Sequence, residues 1–421
     1  MIILDGGMGT MLQAAGIPLG ERPEIYGAKH PEIIEDIQRR YVEAGSTVIY
    51  ANTFGANAHK LKGTGYSPEE LIEANIKTAL RAAAGKARVA MDIGPIGELL
   101  EPIGSLKFED AYELFAQMAA AGEAAGAELI IIETMTDLYE VKAAVLAAKE
   151  HTNLPVWVTM SFEKNGRTFT GTTIASMAAM LNGLKVDAMG INCSLGPVEI
   201  LPLIKELSEW TDIPIIVKPN AGLPDPDTGE YRMDAEDFAE AMKAFYPLGI
   251  GMAGGCCGTD PSYIKGVAEG AKAFAAGRLG ERAGEWLKGS PGAGAESKPL
   301  RKGICSANVM CEYGGIKVIG ERINPTGKKL LKKALLEGDM DYIMEKAIEQ
   351  ADAGADILDI NVGLPDIDEP RMMREVVKAV QSVTDLPLMI DSTDPAAIEA
   401  GLRAACGKAI VNSVNAEKES L

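Results

Sequence analysis

The first 280 residues repeat one pattern, in which a short apolar run is followed by a longer stretch whose apolar residues have helical spacing. The runs lie at residues 2–4, 47–51, 88–93, 129–132, 156–160, 188–192, 213–217 and 250–253. Such alternation predicts an α/β fold in which helices cover a parallel sheet. Eight units predict a (β/α)8 TIM barrel, and a doubly wound open sheet is the alternative.

Almost every apolar run ends in a polar or glycine-rich signature. These signatures are DGGMGT, ANTFG, DIGP, ETMTD, NCS, KPNAG and GGCCGT. Active sites of (β/α)8 barrels gather at the carboxyl ends of the strands. The signatures therefore favour the barrel over the open sheet, and they predict a functional site at the carboxyl ends of the strands.

A second series of the same kind follows a change in composition. Residues 289–298 read GSPGAGAESK, which is typical of a flexible linker. We predict a barrel over 1–280, a linker over 281–312 and part of a second (β/α) barrel over 313–421. Its four apolar runs lie at 317–320, 357–360, 386–390 and 409–411. Because half a barrel leaves two open sheet edges, we expect a truncated domain.

The overall charge limits the choice of partners and location. A formal net charge of -19 would repel nucleic acids and anionic membranes, so neither is an expected partner. The sequence has neither a signal-peptide pattern nor a long uncharged apolar run, which predicts a cytoplasmic protein. Six cysteines in 421 residues are too few for a disulfide framework and point to metal binding or catalysis.

Three of the six cysteines follow strands of the predicted barrel. Cys193 ends the sixth run, while Cys256 and Cys257 follow the eighth, so a barrel would bring their thiols together. Catalytic zinc sites use three protein ligands and leave one position for water or substrate. The trio predicts an open zinc site, the alternative being buried thiols that only pack.

Together, DGGMGT, NTFGAN, ETMTD, GINCS, KPNAG and GGCCGT resemble the zinc-dependent homocysteine S-methyltransferases, including their cobalamin-dependent members. The resemblance spans nearly all of residues 1–275. It implies that Cys193, Cys256 and Cys257 hold the zinc that activates the thiol of homocysteine. It also implies that Asn220 can occupy the open zinc position before the substrate arrives.

The amino-acid end of homocysteine requires partners for an ammonium group and a carboxylate. Asp5, Gly6 and Gly7 form a turn whose N–H groups could meet the carboxylate, and Glu133 is the candidate for the ammonium group. Asn52 and Thr53 are expected to shape the same mouth.

The strand ends of the second series resemble the start of the pterin-binding domains of folate and corrinoid enzymes. By that resemblance, a pterin pocket would be lined by Glu321, Asn324, Asp359, Asn361, Asp391 and Asn412. Asp391 is the best candidate to bond the pterin ring. Carboxylates and amides suit a heterocycle that is rich in donors and acceptors.

The leading functional hypothesis is a methyltransferase that makes methionine from homocysteine, using methylcobalamin charged from 5-methyltetrahydrofolate. No DxHxxG cobalamin motif occurs in the sequence, so this hypothesis needs a cobalamin-binding domain or protein elsewhere. The first alternative is a direct homocysteine S-methyltransferase with S-methylmethionine or another sulfonium donor. The second alternative is a non-catalytic module that binds zinc or thiols.

Overall fold

The computed structural model describes residues 1–225, 228–277 and 299–413. The linker composition at 289–298 lies outside these residues. The chain divides into two compact units, of which the first comprises Met1–Thr170 and Leu184–Leu300. The second comprises Gly171–Gly183 and Arg301–Leu421.

A parallel sheet forms the centre of the first unit. Its strands are β1 (Ile2–Ile3), β2 (Val48–Tyr50), β3 (Arg88–Ile93), β4 (Leu129–Met135), β5 (Val156–Met160), β6 (Ala188–Asn192), β7 (Ile215–Lys218) and β8 (Met252–Ala253). Within the described residues the ladder runs β1-β8-β7-β6-β5-β4-β3-β2. Thr47 N donates to Ile3 O at 2.8 Å, and this bond links the two end strands. The predicted (β/α)8 barrel is thereby confirmed, and the open sheet is excluded.

Helices alternate with these strands along the chain. They are α1 (Met8–Ala14), α2 (Pro23–Lys29), α3 (Pro31–Ala44), α4 (Ala58–Leu61), α5 (Pro68–Ala83), α6 (Phe108–Ala125), α7 (Leu138–His151), α8 (Ile174–Leu184), α9 (Pro197–Leu207), α10 (Ala235–Met242) and α11 (Pro261–Ala275). A short 3-10 helix spans Tyr246–Leu248. No helix in the described part of the chain is both long and apolar enough to cross a membrane.

Helix α3 shows how the sequence specifies these elements. Pro31 occupies the first turn, where its missing N–H costs no hydrogen bond, and Gly45 ends the helix in the left-handed conformation at φ 116°. Ile34, Ile37 and Tyr41 lie three to four residues apart and are buried on one face. That face packs toward the interior together with Gln38, whereas Glu32, Arg39, Arg40 and Glu43 are exposed.

The barrel interior is filled by alternate residues of neighbouring strands. Val48 and Tyr50 of β2 pack in one cluster with Leu129 and Ile131 of β4 and with Trp157 of β5. Alternation by two is the period of a strand, so one set of side chains fills the barrel while the other faces outward. The carboxyl ends of the strands therefore meet above a solid core.

The second unit contains two sheets. Within the interval predicted as a linker, β9 (Gly303–Cys305) and β10 (Met310–Glu312) form an antiparallel pair. Four parallel strands follow in the order β11 (Ile319–Ile323), β12 (Ile357–Ile360), β13 (Leu388–Asp391) and β14 (Ile410–Asn412). The helices are α12 (Lys329–Glu337), α13 (Met340–Asp352), α14 (Glu369–Gln381) and α15 (Pro395–Ala404).

The core of the second unit lies between its helices and the parallel sheet. Met373, Val376, Val377 and Val380 form one fully buried face of α14 and belong to the same cluster as Ile360 of β12. In the described residues, β11 and β14 are the two edges of this sheet, as expected for part of a barrel.

Candidate metal and substrate site

Three cysteines converge at the carboxyl ends of β6 and β8. Cys193 directly follows β6 and adopts a left-handed backbone at φ 60°, which is unusual for a residue with a side chain. Its N–H donates to Lys218 O at 3.1 Å. Cys256 follows β8 after two glycines, and its N–H donates to Pro219 O at 2.8 Å. The two loops are thus attached to the end of β7, which lies between them.

The sulfur atoms of Cys193, Cys256 and Cys257 all lie within 4.8 Å of one another. Cys193 Sγ is 3.8 Å from Cys257 Sγ. Zinc binds sulfur at about 2.3 Å, so two ligands of a tetrahedral site are separated by about 3.8 Å. The trio therefore fits three positions around one zinc ion. In the described residues it is the one group of His, Cys, Asp or Glu side chains that meets this spacing.

The pKa values of the thiols are also compatible with a cation bound between them. Hydrogen bonding to Cys193 and burial raise the pKa of Cys256 well above its ordinary value. The Cys193 bond lowers the pKa of Cys257, but its bond to Cys256 and burial raise that pKa to about 12. Three buried thiolates repel one another, and a divalent cation is the charge that lets all three ionise together.

The turn after β1 lies beside these cysteines. Gly7 N donates to both Thr259 O and Thr259 Oγ1, at 3.3 and 3.2 Å. The buried Tyr41 hydroxyl donates to Gly7 O and to Thr259 O at 3.2 and 3.1 Å. A Cβ at Gly6 or Gly7 would lie within 2.8 Å of neighbouring atoms, so the turn requires both glycines. The Gly7 N–H thus has partners within the chain, and the role of the turn toward a substrate carboxylate remains a prediction.

A buried ion pair crosses the barrel mouth behind the turn. Lys218, the last residue of β7, places Nζ 3.1 Å from Asp5 Oδ1 and 3.7 Å from Glu133 Oε2. The same ammonium lies 3.7 Å from the centre of the Tyr50 ring. Burial lowers the pKa of Lys218, but Asp5 and Glu133 raise it to well above its ordinary value. Lys218 is therefore a charged lysine in the interior.

Glu133 lies inside β4, at a point where the strand is irregular. The register of β4 with β5 shifts between Ile132 and Met135, and Thr134 has a positive φ of 61°. Asn192 accepts from Thr134 N at 3.0 Å and donates to Thr134 Oγ1 at 2.8 Å. This clamp stabilises the irregular backbone that turns Glu133 into the barrel mouth. It also fixes the residue that precedes Cys193.

Three other predicted site residues have structural partners. Asn52 Nδ2 donates to Pro23 O at 2.7 Å, so its amide group is turned toward the start of α2. Thr53 Oγ1 donates to Asp92 O at 2.8 Å and accepts from Asp92 N at 3.1 Å. Asn220 Oδ1 accepts from Cys257 N at 3.0 Å. Asn220 thus braces the loop that carries Cys257, and its role as a ligand remains a prediction.

A cavity of about 240 Å³ joins these groups. Of the predicted residues it is lined by Asp5, Gly6, Gly7, Asn52, Glu133, Cys193, Cys256 and Cys257. It is also lined by Glu24, Tyr50, Asp92 and Lys218, which the sequence reasoning did not single out as site residues. Asp92 and Lys218 stand in the strand-end signatures DIGP and KPNAG, and that position was the signal that could have identified them.

The predicted pterin residues lie at the carboxyl ends of the second sheet. Asn361 Nδ2 donates to Asp391 Oδ2 at 3.0 Å, and Asn324 Nδ2 lies 3.5 Å from Glu321 Oε1. Asn412, at the end of β14, pairs in register with Asp391. The parallel strands thus bring these side chains to one edge.

Asp359 is the buried acid of this group. Its Oδ1 has no hydrogen-bond partner among the described residues. Burial raises the pKa of Asp359 to about 6, and the negative charges of Asp391 and Glu321 contribute to the shift. Such an acceptor at a strand end is suited to a ligand that carries N–H donors.

Two family models match the chain, over different residues. The model described as Homocysteine S-methyltransferase matches residues 2–271, and the model described as Pterin binding enzyme matches residues 320–421. Similar curated proteins include the methionine synthases of Mycobacterium leprae (strain TN) and Mycobacterium tuberculosis (strain ATCC 25618 / H37Rv). Each is 30% identical to this chain, over 441 and 445 residues respectively. These alignments cover 99% of the chain but only 36% of each relative, so the chain spans about a third of their length.

Solved structures with the same fold include two forms of the homocysteine methyltransferase MmuM from Escherichia coli. The oxidized form has a TM-score of 0.56 at 22% identity, covering 64% of this chain and 95% of that one. The metallated form has a TM-score of 0.55 at 23% identity, covering 64% and 96%. At 22–23% sequence identity, this structural similarity supports the barrel fold.

Proposed function

Because the chain belongs to the homocysteine S-methyltransferase family, we propose that it transfers a methyl group to the thiol of homocysteine and so forms methionine. The observation that carries the proposal is the group of three thiols within 4.8 Å, which opens into a cavity lined by acidic groups and Lys218. A thiol amino acid matches both features. Its sulfur suits the metal position, and its charged end suits the polar wall.

We propose that Cys193, Cys256 and Cys257 hold a zinc ion. Bound there, zinc would supply a Lewis acid that lowers the pKa of the substrate thiol, so that the sulfur reacts as a thiolate. Three protein ligands leave a fourth position open for that sulfur. The loops that carry the cysteines are fixed by the Lys218 and Pro219 carbonyls and by Asn220, so the ligands are preorganised.

The chain would orient the substrate for an in-line displacement. The thiol proton leaves, a sulfur–carbon bond forms, and the bond from the methyl group to its donor breaks with its electron pair on the donor. Asp5 with the turn of Gly6 and Gly7, Asn52 and Glu133 contribute the wall of the cavity. Thr53 contributes indirectly, because it bonds the backbone of Asp92.

The proposed methyl source is methylcobalamin that is charged from 5-methyltetrahydrofolate. The match of residues 320–421 to pterin-binding enzymes and the acidic strand ends of the second unit support a folate role. Glu321, Asn324, Asp359, Asn361, Asp391 and Asn412 are the proposed pterin contacts. A cobalamin-binding domain or protein is the proposed partner. Because the site needs reduced thiols, a cytoplasmic location suits it.

Single-turnover assays test this proposal. Zinc-loaded chain is mixed with homocysteine and either methylcobalamin or S-methylmethionine, and methionine is quantified. If methionine forms with methylcobalamin but not with S-methylmethionine, the proposal is supported. If methionine forms only with S-methylmethionine, the direct sulfonium route is favoured. Binding of homocysteine without methionine from either donor would indicate a non-catalytic module. Cys406→Ser is the matched control, since Cys406 belongs to the second unit and is not one of the trio.

A further inference from the structure

The loop between β7 and α10 is attached to the loop that carries Cys257. At its start, Ala221 N donates to Cys257 O at 3.0 Å, and near its end Met233 N donates to Ala221 O at 3.3 Å. Between these two points, Pro224 and Tyr231 form an antiparallel bridge. These backbone contacts hold Tyr231 close to one thiol of the trio.

The ring of Tyr231 lies against the residue that follows this cysteine. A Cβ at Gly258 would overlap the ring, so glycine is the residue that lets the ring approach the backbone here. From this position the Tyr231 hydroxyl donates a hydrogen bond to the sulfur of Cys257. Tyr231 is partly exposed, and its ring therefore covers the cysteine loop from the solvent side.

The other two sulfurs of the trio have donors of a different kind. Asn192, the last residue of β6, places Nδ2 3.9 Å from Cys256 Sγ. Cys193 Sγ accepts from the backbone N–H of Ser194, its neighbour in the chain. Of these three donors, the Tyr231 hydroxyl is the one that a conservative substitution removes without altering a strand or the backbone.

A thiolate that binds a metal is still a nucleophile, which raises the question of selectivity. In the proposed site three protein sulfurs lie next to the substrate sulfur, and a methyl donor can react with any of the four. A hydrogen bond withdraws electron density from a sulfur and makes it a weaker nucleophile, because nucleophilicity falls with basicity. A donor on a protein sulfur therefore favours transfer to the substrate sulfur.

We propose that Tyr231 protects Cys257 from methylation. Its hydroxyl holds the Cys257 sulfur by a hydrogen bond and lowers the nucleophilicity of that sulfur, so that the methyl group is transferred to the thiol of the substrate. Tyr231 is thus a positioning residue that acts through Cys257. The inference rests on the proposed function, because it concerns which sulfur of that site is methylated.

Methylation of the protein itself measures this selectivity without turnover of homocysteine. Zinc-loaded chain is treated with methyl iodide in the absence of substrate. A cysteine sulfur attacks the methyl carbon, a sulfur–carbon bond forms, and iodide leaves with the electron pair of the carbon–iodine bond. Tandem mass spectrometry of the peptides gives the rate at each cysteine of the trio.

Tyr231→Phe should raise the methylation rate at Cys257 roughly threefold to tenfold, because about half the strength of one charge-assisted hydrogen bond reaches the rate. The rates at Cys193 and Cys256 should stay within about twofold of wild type. Co²⁺-loaded chain provides a second readout. Loss of the donor should move the sulfur-to-cobalt charge-transfer absorption of Tyr231→Phe to lower energy, because the sulfur becomes more electron-rich.

Tyr263→Phe is the matched control. The Tyr263 hydroxyl donates to Met233 O at 2.7 Å, so it braces the same loop through a carbonyl group. This variant should keep the wild-type methylation rates and the wild-type charge-transfer absorption. Both variants should keep the zinc content of the wild-type chain.

Four results would overturn the inference. They are an unchanged rate or absorption in Tyr231→Phe, an equal acceleration at Cys257 in Tyr263→Phe, an equal acceleration at all three cysteines, and loss of zinc from Tyr231→Phe. If the wild-type chain binds zinc and forms methionine, the proposed function survives each of these results. A wild-type chain that binds no zinc would refute both the proposed function and the inference.

Discussion

The Lys218 ammonium lies 3.1 Å from Asp5 Oδ1, although 213 residues separate the two along the chain. The pair connects the last residue of β7 to the turn after β1, and β8, which lies between these strands, carries the loop with Cys256 and Cys257. Both side chains are at most 4% exposed. The pair therefore sets the electrostatics of the barrel mouth and also ties together the loops that form it.

Replacing Lys218 should destabilise the first unit strongly. Lys218→Met leaves Asp5 and Glu133 as buried acids without a counterion, and the expected loss is about 3–5 kcal/mol in the free energy of unfolding. Lys218→Arg keeps the charge and should lose less. Urea unfolding followed by the fluorescence of Trp157 and Trp210 measures this difference.

The matched control for that experiment is Lys243→Met. Lys243 forms an ion pair with Glu240 on the surface of the same unit, and its loss should cost less than about 1 kcal/mol. A Lys218→Met protein as stable as this control would contradict the structural role of the buried pair.

Removing one cysteine of the trio should abolish the metal site without unfolding the barrel. Cys256→Ala should lose bound zinc and methyl transfer, while its far-ultraviolet circular dichroism stays unchanged, because the barrel core is built from apolar side chains. Elemental analysis measures the zinc content. Wild-type zinc stoichiometry in this variant would refute the assignment, and Cys406→Ala should retain full zinc content.

The Tyr41 hydroxyl should affect both stability and substrate affinity. Tyr41→Phe removes the one hydroxyl proton that Gly7 O and Thr259 O share, and about 1–2 kcal/mol of stability should be lost. Homocysteine affinity should fall as well, since the turn that lines the cavity is no longer braced. Calorimetric titration and urea unfolding check the two effects.

Tyr246→Phe separates these effects. Tyr246 is a buried tyrosine of the same unit whose hydroxyl donates to Val267 O at 3.1 Å, remote from the cavity lining. The variant should lose comparable stability but keep wild-type affinity for homocysteine. If Tyr41→Phe and Tyr246→Phe lost homocysteine affinity equally, the loss would be a general effect of reduced stability.

Asp359 should make the stability of the second unit depend on pH. Burial raises the pKa of Asp359 to about 6 in the folded chain, above the ordinary value of 3.8, so the folded state holds a proton that the unfolded state has released. The stabilisation is therefore fully present below pH 3.8, and it is lost as the pH rises toward and through 6. A change of roughly 1–3 kcal/mol is expected from a shift of this size.

Hydrogen exchange by mass spectrometry tests that prediction locally. Peptides covering β12 and β13 of the wild-type chain and of Asp359→Asn are compared at pH 5 and pH 7.5. The wild-type chain should lose protection relative to the variant at the higher pH, because only the wild-type chain must ionise a buried carboxyl group. If the difference in protection between the wild-type chain and Asp359→Asn were the same at both pH values, the pKa of Asp359 would not be raised.

The sequence by itself determined the repeated units and singled out the three clustered cysteines. Apolar runs and helical spacing are local properties, so the barrel and the extent of β12 followed from the pattern. Cys193, Cys256 and Cys257 stood out because rare residues at strand ends must meet once the strands close into a barrel. Boundaries were less certain, because packing extended β4 beyond Ile132 through an irregular register and placed β11 two residues later than expected.

Only the tertiary structure decided how the polar groups of the mouth are paired. The sequence placed Asp5 at the predicted substrate site, and the fold supplies both of its oxygens with donors from Lys218 and Tyr50. The sequence assigned Asp92 no role, and closure of the barrel leaves its buried Oδ1 without a hydrogen-bond partner among the described residues. Which hydrogen bonds form depends on contacts between residues far apart in the chain, and such pairing leaves no local trace in the sequence. The pairing of these buried polar groups is therefore decided only when the strands meet.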